Sequence, residues 1–292
     1  MDNIQFRQEM HEHLDTLYDK FEQYQNDVME TLDEFVRICS MERITYYVGF
    51  GSLLGLVRDG CLLPWDYDID VVIPINEKDN LVEALKKHLK EEFYFYCPDV
   101  DPKCRHYCMR ITKKGFDSSA VHLDVFYLIG APSDANKRAR FRKNIKWLNF
   151  TRKIKLMDGK TEAMGVNIFR LANKVKKIMY FWCPIFVLDK MYKTLIGKYP
   201  LDTAQYVTTM QAAADTYTSD TFKEPSVITI NGKNYCAPTD IISFFNQTYK
   251  DYKTYPPVSS RFNEFYSSVK RLEYFEKHQT EQSKMDFQIN KY

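Results

Sequence analysis

The chain has 292 residues, 45% of them hydrophobic and 27% charged, with 41 Lys and Arg against 39 Asp and Glu for a net charge of +2. That much apolar material supports a sizeable core, while the near balance of charge lacks the basic excess that phosphate-backbone binding requires and argues against nucleic acid as a partner. The first twenty residues are polar and acidic, without the charged, apolar, small-residue order of a signal peptide, so a cytoplasmic, reducing location is expected and the seven cysteines read as reduced thiols.

In chain order, Leu14, Leu17, Phe21, Tyr24, Val28, Leu32, Phe35, Ile38 and Cys39 recur at three-to-four spacing and predict a long amphipathic helix that buttresses the first strand. Residues 46–50, YYVGF, read as that strand. It ends at Gly51 and Ser52, where a small residue lets backbone N–H groups approach a phosphate. Arg58 follows, either assisting a diphosphate or pairing with Asp66 or Asp59. Then come Pro64, Trp65 and three aspartates spaced two apart, Asp66, Asp68 and Asp70, which alternation places on one side of an extended segment. Carboxylates gathered so closely repel one another unless a cation neutralises them, and oxygen ligands suit Mg²⁺ or Mn²⁺ better than zinc. The alternative is a solvated turn after Pro64. Val71, Val72 and Ile73 weigh against it, because a β-branched series reads as a buried strand that draws Asp68 and Asp70 toward a sheet.

Residues 79–92 return to a helical pattern. Cys97, Cys104, His106 and Cys108 carry zinc-compatible atoms at a spacing that matches no standard zinc motif, and a strand at residues 108–111 would send alternate side chains opposite ways. Residues 121–126, VHLDVF, alternate like a half-buried strand with His122 and Asp124 on one face. Beside the strand of Asp70, Asp124 would complete an acidic cluster; otherwise it is an ordinary strand residue, and His122 reads first as a packed or supporting histidine. Residues 137–155 form a basic helical stretch with Phe141, Ile145, Leu148 and Ile154 interspersed, either a solvated face or a source of diphosphate-holding cations among which Arg138, Arg142 or Lys146 could serve with none singled out. The eleven residues 178–188, opening on Ile178 and closing on Leu188, carry no charge and sit between Lys174, Lys176, Lys177 and Lys190. The segment is too short to span a bilayer and reads as buried helix packing or as a peripheral membrane contact. After Thr221, Pro225, Gly232, Pro238, Pro256 and Pro257 divide the chain into short strands and turns, and residues 259–278 predict a closing helix.

The pattern G-S-L-L-G-x-x-R-x-G, then P-W-D-x-D-I-D, then H-L-D-V-F resembles the LicD family, relatives of fukutin and fukutin-related protein within the nucleotidyltransferase superfamily. Tyr235, Cys236, Ala237, Pro238, Phe244 and residues 249–257 are similar to the family's closing segment. The resemblance implies an α/β (α+β) nucleotidyltransferase-like fold: a small mixed sheet with flanking helices over residues 1–130, and a largely helical region over residues 131–292 that completes the same globular unit. It implies transfer of a phospho-substituent, typically phosphocholine from CDP-choline, onto a hydroxyl of a cell-surface glycan such as lipopolysaccharide, teichoic acid or capsule, with release of CMP. Transfer of ribitol or glycerol phosphate, nucleotidyl transfer, and a non-catalytic glycan-binding protein are the alternatives. Carried over by position, Asp68 and Asp70 match the metal-binding pair, Asp124 the third acidic position and expected proton acceptor, and Asp66 a leading aspartate. Gly51, Ser52, Arg58 and Trp65 complete the expected substrate-binding set, with Trp65 either facing a choline head group or packing the loop. Phe50, Tyr67 and the Cys61-Leu62 pair depart from the commonest pattern, which bears on donor specificity. A lipid-linked acceptor would place the enzyme at the inner face of the membrane.

Overall fold

The computed structural model describes residues 2–115, 121–156, 183–210, 216–249 and 251–289, together with Lys174, Ile178 and Phe181. It mixes helices and strands, in agreement with the α/β expectation. The chain divides into two compact units: residues 1–95, 110–126 and 220–292 form the first, residues 96–109 and 127–219 the second.

The first unit begins with α1 (Asn3–Glu42), closed at its start by a capping box between Asp2 and Gln5. From Phe21 to Cys39 the apolar stripe is buried as its spacing predicts, whereas Leu14 and Leu17 are half-buried where the helix is broken at Asp15, whose φ is 8°. Phe35 meets Tyr46 edge to face at 5.3 Å, the expected buttress for β1 (Tyr47–Val48). There follow α2 (Phe50–Asp59), β2 (Asp68–Pro74), α3 (Lys78–His88), β3 (Phe93–Tyr96), β4 (Met109–Lys113) and β5 (His122–Ala131). The sheet order is β1-β2-β5-β4-β3, with β1 antiparallel to β2 through Tyr47↔Val72 and Val48↔Val71. Placing β5 directly beside β2 brings the two acidic strands together.

Among the described residues the second half is carried by helices together with four short strands. In the second unit, α4 (Ala135–Leu156) and α5 (Ile185–Ile196) are joined by β6 (Tyr206–Thr209), antiparallel to the later half of β5, and β7 (Thr216–Thr218), antiparallel to β6. Arg152 is fully buried there, donating to the carbonyls of Cys104 and Pro102 at 2.8 and 3.0 Å and paired with Asp189.

Residues 220–292 return to the first unit. They carry the hairpin β8 (Ser226–Ile230) and β9 (Lys233–Ala237), then α6 (Ile241–Thr248) and α7 (Val258–Ile289). Asn231 and Gly232 turn the hairpin at φ 50° and 77°, the paired left-handed conformation that a two-residue Asn-Gly loop supplies. The return has clear causes. Tyr47 donates through its hydroxyl to the carbonyls of Phe222 and Lys223, at 2.8 and 2.6 Å, and Phe265 of α7 packs on Phe21 of α1 at 5.0 Å. Among the described residues no helix is long and apolar enough to cross a membrane.

Candidate functional site

The expected strand through residue 50 is only two residues long, and Gly51 and Ser52 lie in the first turn of α2 rather than in a turn between strands. Phe50 opens that helix with φ at 52°, which redirects the chain immediately after the extended Gly49. The helix start is fastened to β2 on both sides: the Gly49 amide donates to the Asp70 carbonyl at 2.9 Å, and the Asp70 amide donates to Ser52 Oγ at 2.9 Å. A Cβ on Gly51 would stand 2.9 Å from Asp66 Oδ2, so the missing side chain is what admits that carboxylate. Gly55, the second glycine of the motif, has no room either, since its Cβ would lie 2.6 Å from the Cys61 carbonyl and 2.8 Å from the Leu63 nitrogen. From the other side, Gln25 of α1 donates to the carbonyls of Leu63 and Asp66 at 2.8 and 2.6 Å, which fixes the loop that delivers the aspartates.

Along β2, Ile69 and Val71 are fully buried while Asp68 and Asp70 stay half-buried, so the pair shares the face opposite the core, as alternation requires. On β5, His122, Asp124 and Phe126 share a face. Asp68, His122 and Asp124 each present a ligand atom within 4.8 Å of the others; His122 Nε2 stands 3.4 Å from Asp124 Oδ2 and 3.9 Å from Asp68 Oδ2. His122, expected to support rather than take part, therefore belongs to the cluster. Arg110, on β4 and missed by the sequence reading, holds Asp124 with Nε to Oδ1 at 2.7 Å and Nη2 to Oδ2 at 3.4 Å. Its signal was present: an arginine between Met109 and Ile111 in a strand otherwise buried needs a buried anion.

The charges are finely opposed. Burial, reinforced by Asp68, Asp124 and Asp66, pushes the Asp70 carboxyl well above its ordinary range. Burial likewise raises Asp68, though His122 opposes the shift. Burial, Asp68 and Glu264 raise Asp66, with Arg7 opposing them. For Asp124 the burial effect is outweighed by Arg110 and His122, and its carboxyl lies below the usual range. A group of carboxylates that resists simultaneous ionisation is what a divalent cation stabilises.

Other expected residues are engaged elsewhere. Arg58 pairs with Asp59, Nε to Oδ1 and Nη2 to Oδ2 both at 3.0 Å, and lies 4.2 Å above the Tyr255 ring. Trp65 meets Phe6 of α1 edge to face at 6.3 Å, and its carbonyl accepts from Ser268 Oγ at 2.8 Å. The aromatic beside the cluster is Tyr67, 6.4 Å from the His122 ring and 5.5 Å from the Arg271 guanidinium of α7. All these groups belong to the first unit.

In the second unit, Cys104 Sγ lies 3.3 Å from the His106 carbonyl oxygen, and Cys97, Cys104 and Cys108 are buried. Among the described residues the only set of three or more His, Cys, Asp or Glu groups gathered for a metal is Asp68, His122 and Asp124. Of residues 178–188, Met179, Tyr180 and Trp182 lie outside the described residues. Ile178, Phe181 and Phe186 are each at least 71% exposed, whereas Leu188 is buried.

Residues 43–154 match the model of the LicD/FKTN/FKRP nucleotidyltransferase domain. The chain is also 25% identical over 193 residues, 61% of its length and 69% of the relative's, to the lipopolysaccharide cholinephosphotransferase LicD of Haemophilus influenzae. Both likenesses point to the LicD family, and the domain match is confined to residues 43–154. Asp66, Asp68, Asp70, Arg110, His122 and Asp124 all fall inside the LicD match, whereas Tyr255 and Arg271, which bear on it from α7 and the segment before it, fall outside.

Proposed function

We propose that this protein is a metal-dependent transferase that moves phosphocholine from CDP-choline to a hydroxyl of a cell-surface glycan, with CMP as the leaving group. The observation that carries the reading is the meeting of Asp68, His122 and Asp124 within 4.8 Å, with Asp70 on the same sheet face. Asp68, Asp70 and Asp124 are assigned as ligands of Mg²⁺ or Mn²⁺, the ions that a carboxylate-rich set prefers, with His122 at its edge. When bound, the ion supplies positive charge against the diphosphate as CMP departs. Asp124 is assigned as acceptor of the proton from the attacking sugar hydroxyl; Arg110 reaches both of its oxygens, Oδ1 at 2.7 Å and Oδ2 at the longer 3.4 Å. Gly51 and Ser52, at the start of α2, would bring backbone donors toward the phosphate. A lipid-linked acceptor met at the cytoplasmic membrane face is supported by the exposed Ile178 and Phe186 near Lys174 and Lys190.

Incubation with CDP-choline, CDP-glycerol and CDP-ribitol, read as CMP release, tests the donor; pyrophosphate as product would instead indicate nucleotidyl transfer. Asp70→Asn should abolish turnover with the fold retained, since it removes one of several crowded carboxylates. Retention of most activity with Mg²⁺ would show that the site lies elsewhere.

A further inference from the structure

Phe50 is a phenylalanine in the left-handed region, φ 52°, between Gly49 and Gly51 at the first position of α2. An L side chain with an aromatic ring is disfavoured there, and glycine would sit without strain. The ring is held by two others: it meets Phe126 at 5.6 Å with planes 76° apart, and Phe244 at 5.8 Å with planes 62° apart. Phe244 is fully buried, but Phe50 and Phe126 are each only half-buried. Both sit on backbone that adjoins the carboxylate-bearing strands. Phe126 follows Asp124 by two residues on the same face of β5, about 6.6 Å along the strand. Phe50 follows Gly49, whose amide is bonded to the Asp70 carbonyl.

We infer that Phe50 and Phe126 form the two walls of a corner that receives the quaternary ammonium of the donor's choline, an inference that rests on the phosphocholine reading above. A trimethylammonium group is round, permanently charged and unable to donate a hydrogen bond, so it is recognised by aromatic faces in a negative field. Two rings set nearly at right angles offer such faces around a rounded group, whereas a flat base stacks better in a slot between parallel planes. The ethyl spacer between phosphate and nitrogen carries the ammonium from the carboxylates toward the rings. Phe50 is thereby a specificity-determining residue, and its backbone strain is the consequence of placing a ring at that point.

The test uses Phe50→Gly and Phe126→Leu in the full chain, with calorimetric affinities for CDP-choline and for CMP and a melting temperature for each protein. Phe50→Gly should keep or raise the melting temperature, because glycine relieves the left-handed φ. Both variants should bind CDP-choline on the order of tenfold more weakly, with CMP affinity within about twofold of the parent. Phe50→Trp should recover the CDP-choline affinity. Equal losses for CDP-choline and CMP, no loss for either, or a Phe50→Gly protein that melts far below the parent would overturn the corner and return the rings to a packing role. A parent enzyme that turns over CDP-ribitol or CDP-glycerol and ignores CDP-choline would overturn the donor reading itself, an outcome visible before any variant is made.

Discussion

Replacing Arg110 by methionine removes the guanidinium that neutralises Asp124 while keeping much of the side chain's apolar bulk. Both side chains are 10% exposed and their closest contact is 2.7 Å, so the remaining Asp124 carboxylate would be a buried anion facing Asp68 and Asp70. Losing one partner of such a pair costs about 3–5 kcal/mol. The Coulomb term agrees in size, at about 4 kcal/mol for unit charges about 4 Å apart with an effective dielectric near 20. For a chain of this length a loss of that size lowers the melting temperature by on the order of 10 °C. Two further measurements bind the loss to its cause. Arg110→Met combined with Asp124→Asn should recover much of it, since the orphaned charge is gone, and the coupling should appear as non-additivity in the cycle. Millimolar Mg²⁺ or Mn²⁺ should raise the melting temperature of Arg110→Met more than that of the parent, because a cation bound only by the folded state stabilises through its occupancy. A loss below about 1 kcal/mol, or a double variant no more stable than Arg110→Met alone, would refute the view that Arg110 holds the acidic cluster together.

Gly55→Ala should destabilise by about 1–3 kcal/mol in chemical denaturation, because its Cβ would meet backbone atoms of Cys61 and Leu63 that no rotamer change moves. Glu34, whose side chain is 2% exposed, accepts from Arg37 at 2.7 and 2.8 Å and from the Lys90 amide at 3.1 Å; these partners outweigh the upward effect of burial and hold its carboxyl below the ordinary value. A depressed carboxyl adds stability above its unfolded value of about 4.3 and loses it as pH falls through the folded one, so the parent should lose melting temperature below about pH 4 and Glu34→Gln should show a shallower acid limb. Ile178→Ser with Phe186→Ser should leave the melting temperature within about 2 °C, as both side chains are 71% exposed. The same pair should weaken binding to anionic liposomes if this surface meets a membrane.

The parts of this protein legible in its sequence are those where one local pattern decides the outcome. The stripe from Leu14 to Cys39 had to be a helix, and the alternation through Asp68 and Asp70 had to put both carboxylates on one face, because Ile69 and Val71 leave the other to the core. The hairpin at Asn231 and Gly232 was marked by its turn residue. What could not be read depended on partners distant in the chain. Arg110 lies fourteen positions from Asp124, and nothing local says that β4 flanks β5 on the side away from β2. Arg58 had three plausible anions, and its pairing with Asp59 is reinforced from afar, by Tyr255 donating to Asp59 and stacking under the guanidinium. Trp65 had two readings from its place in the motif, a head-group face or loop packing, and its contact with Phe6, near the start of α1, lay too far along the chain to be read locally. Phe50 carries the opposite lesson. It looked like a minor departure from a family pattern, and only its positive φ, visible once the backbone is placed, makes it costly enough to require a reason. A residue that local preference argues against, beside a site that local preference explains, is where specificity is best sought.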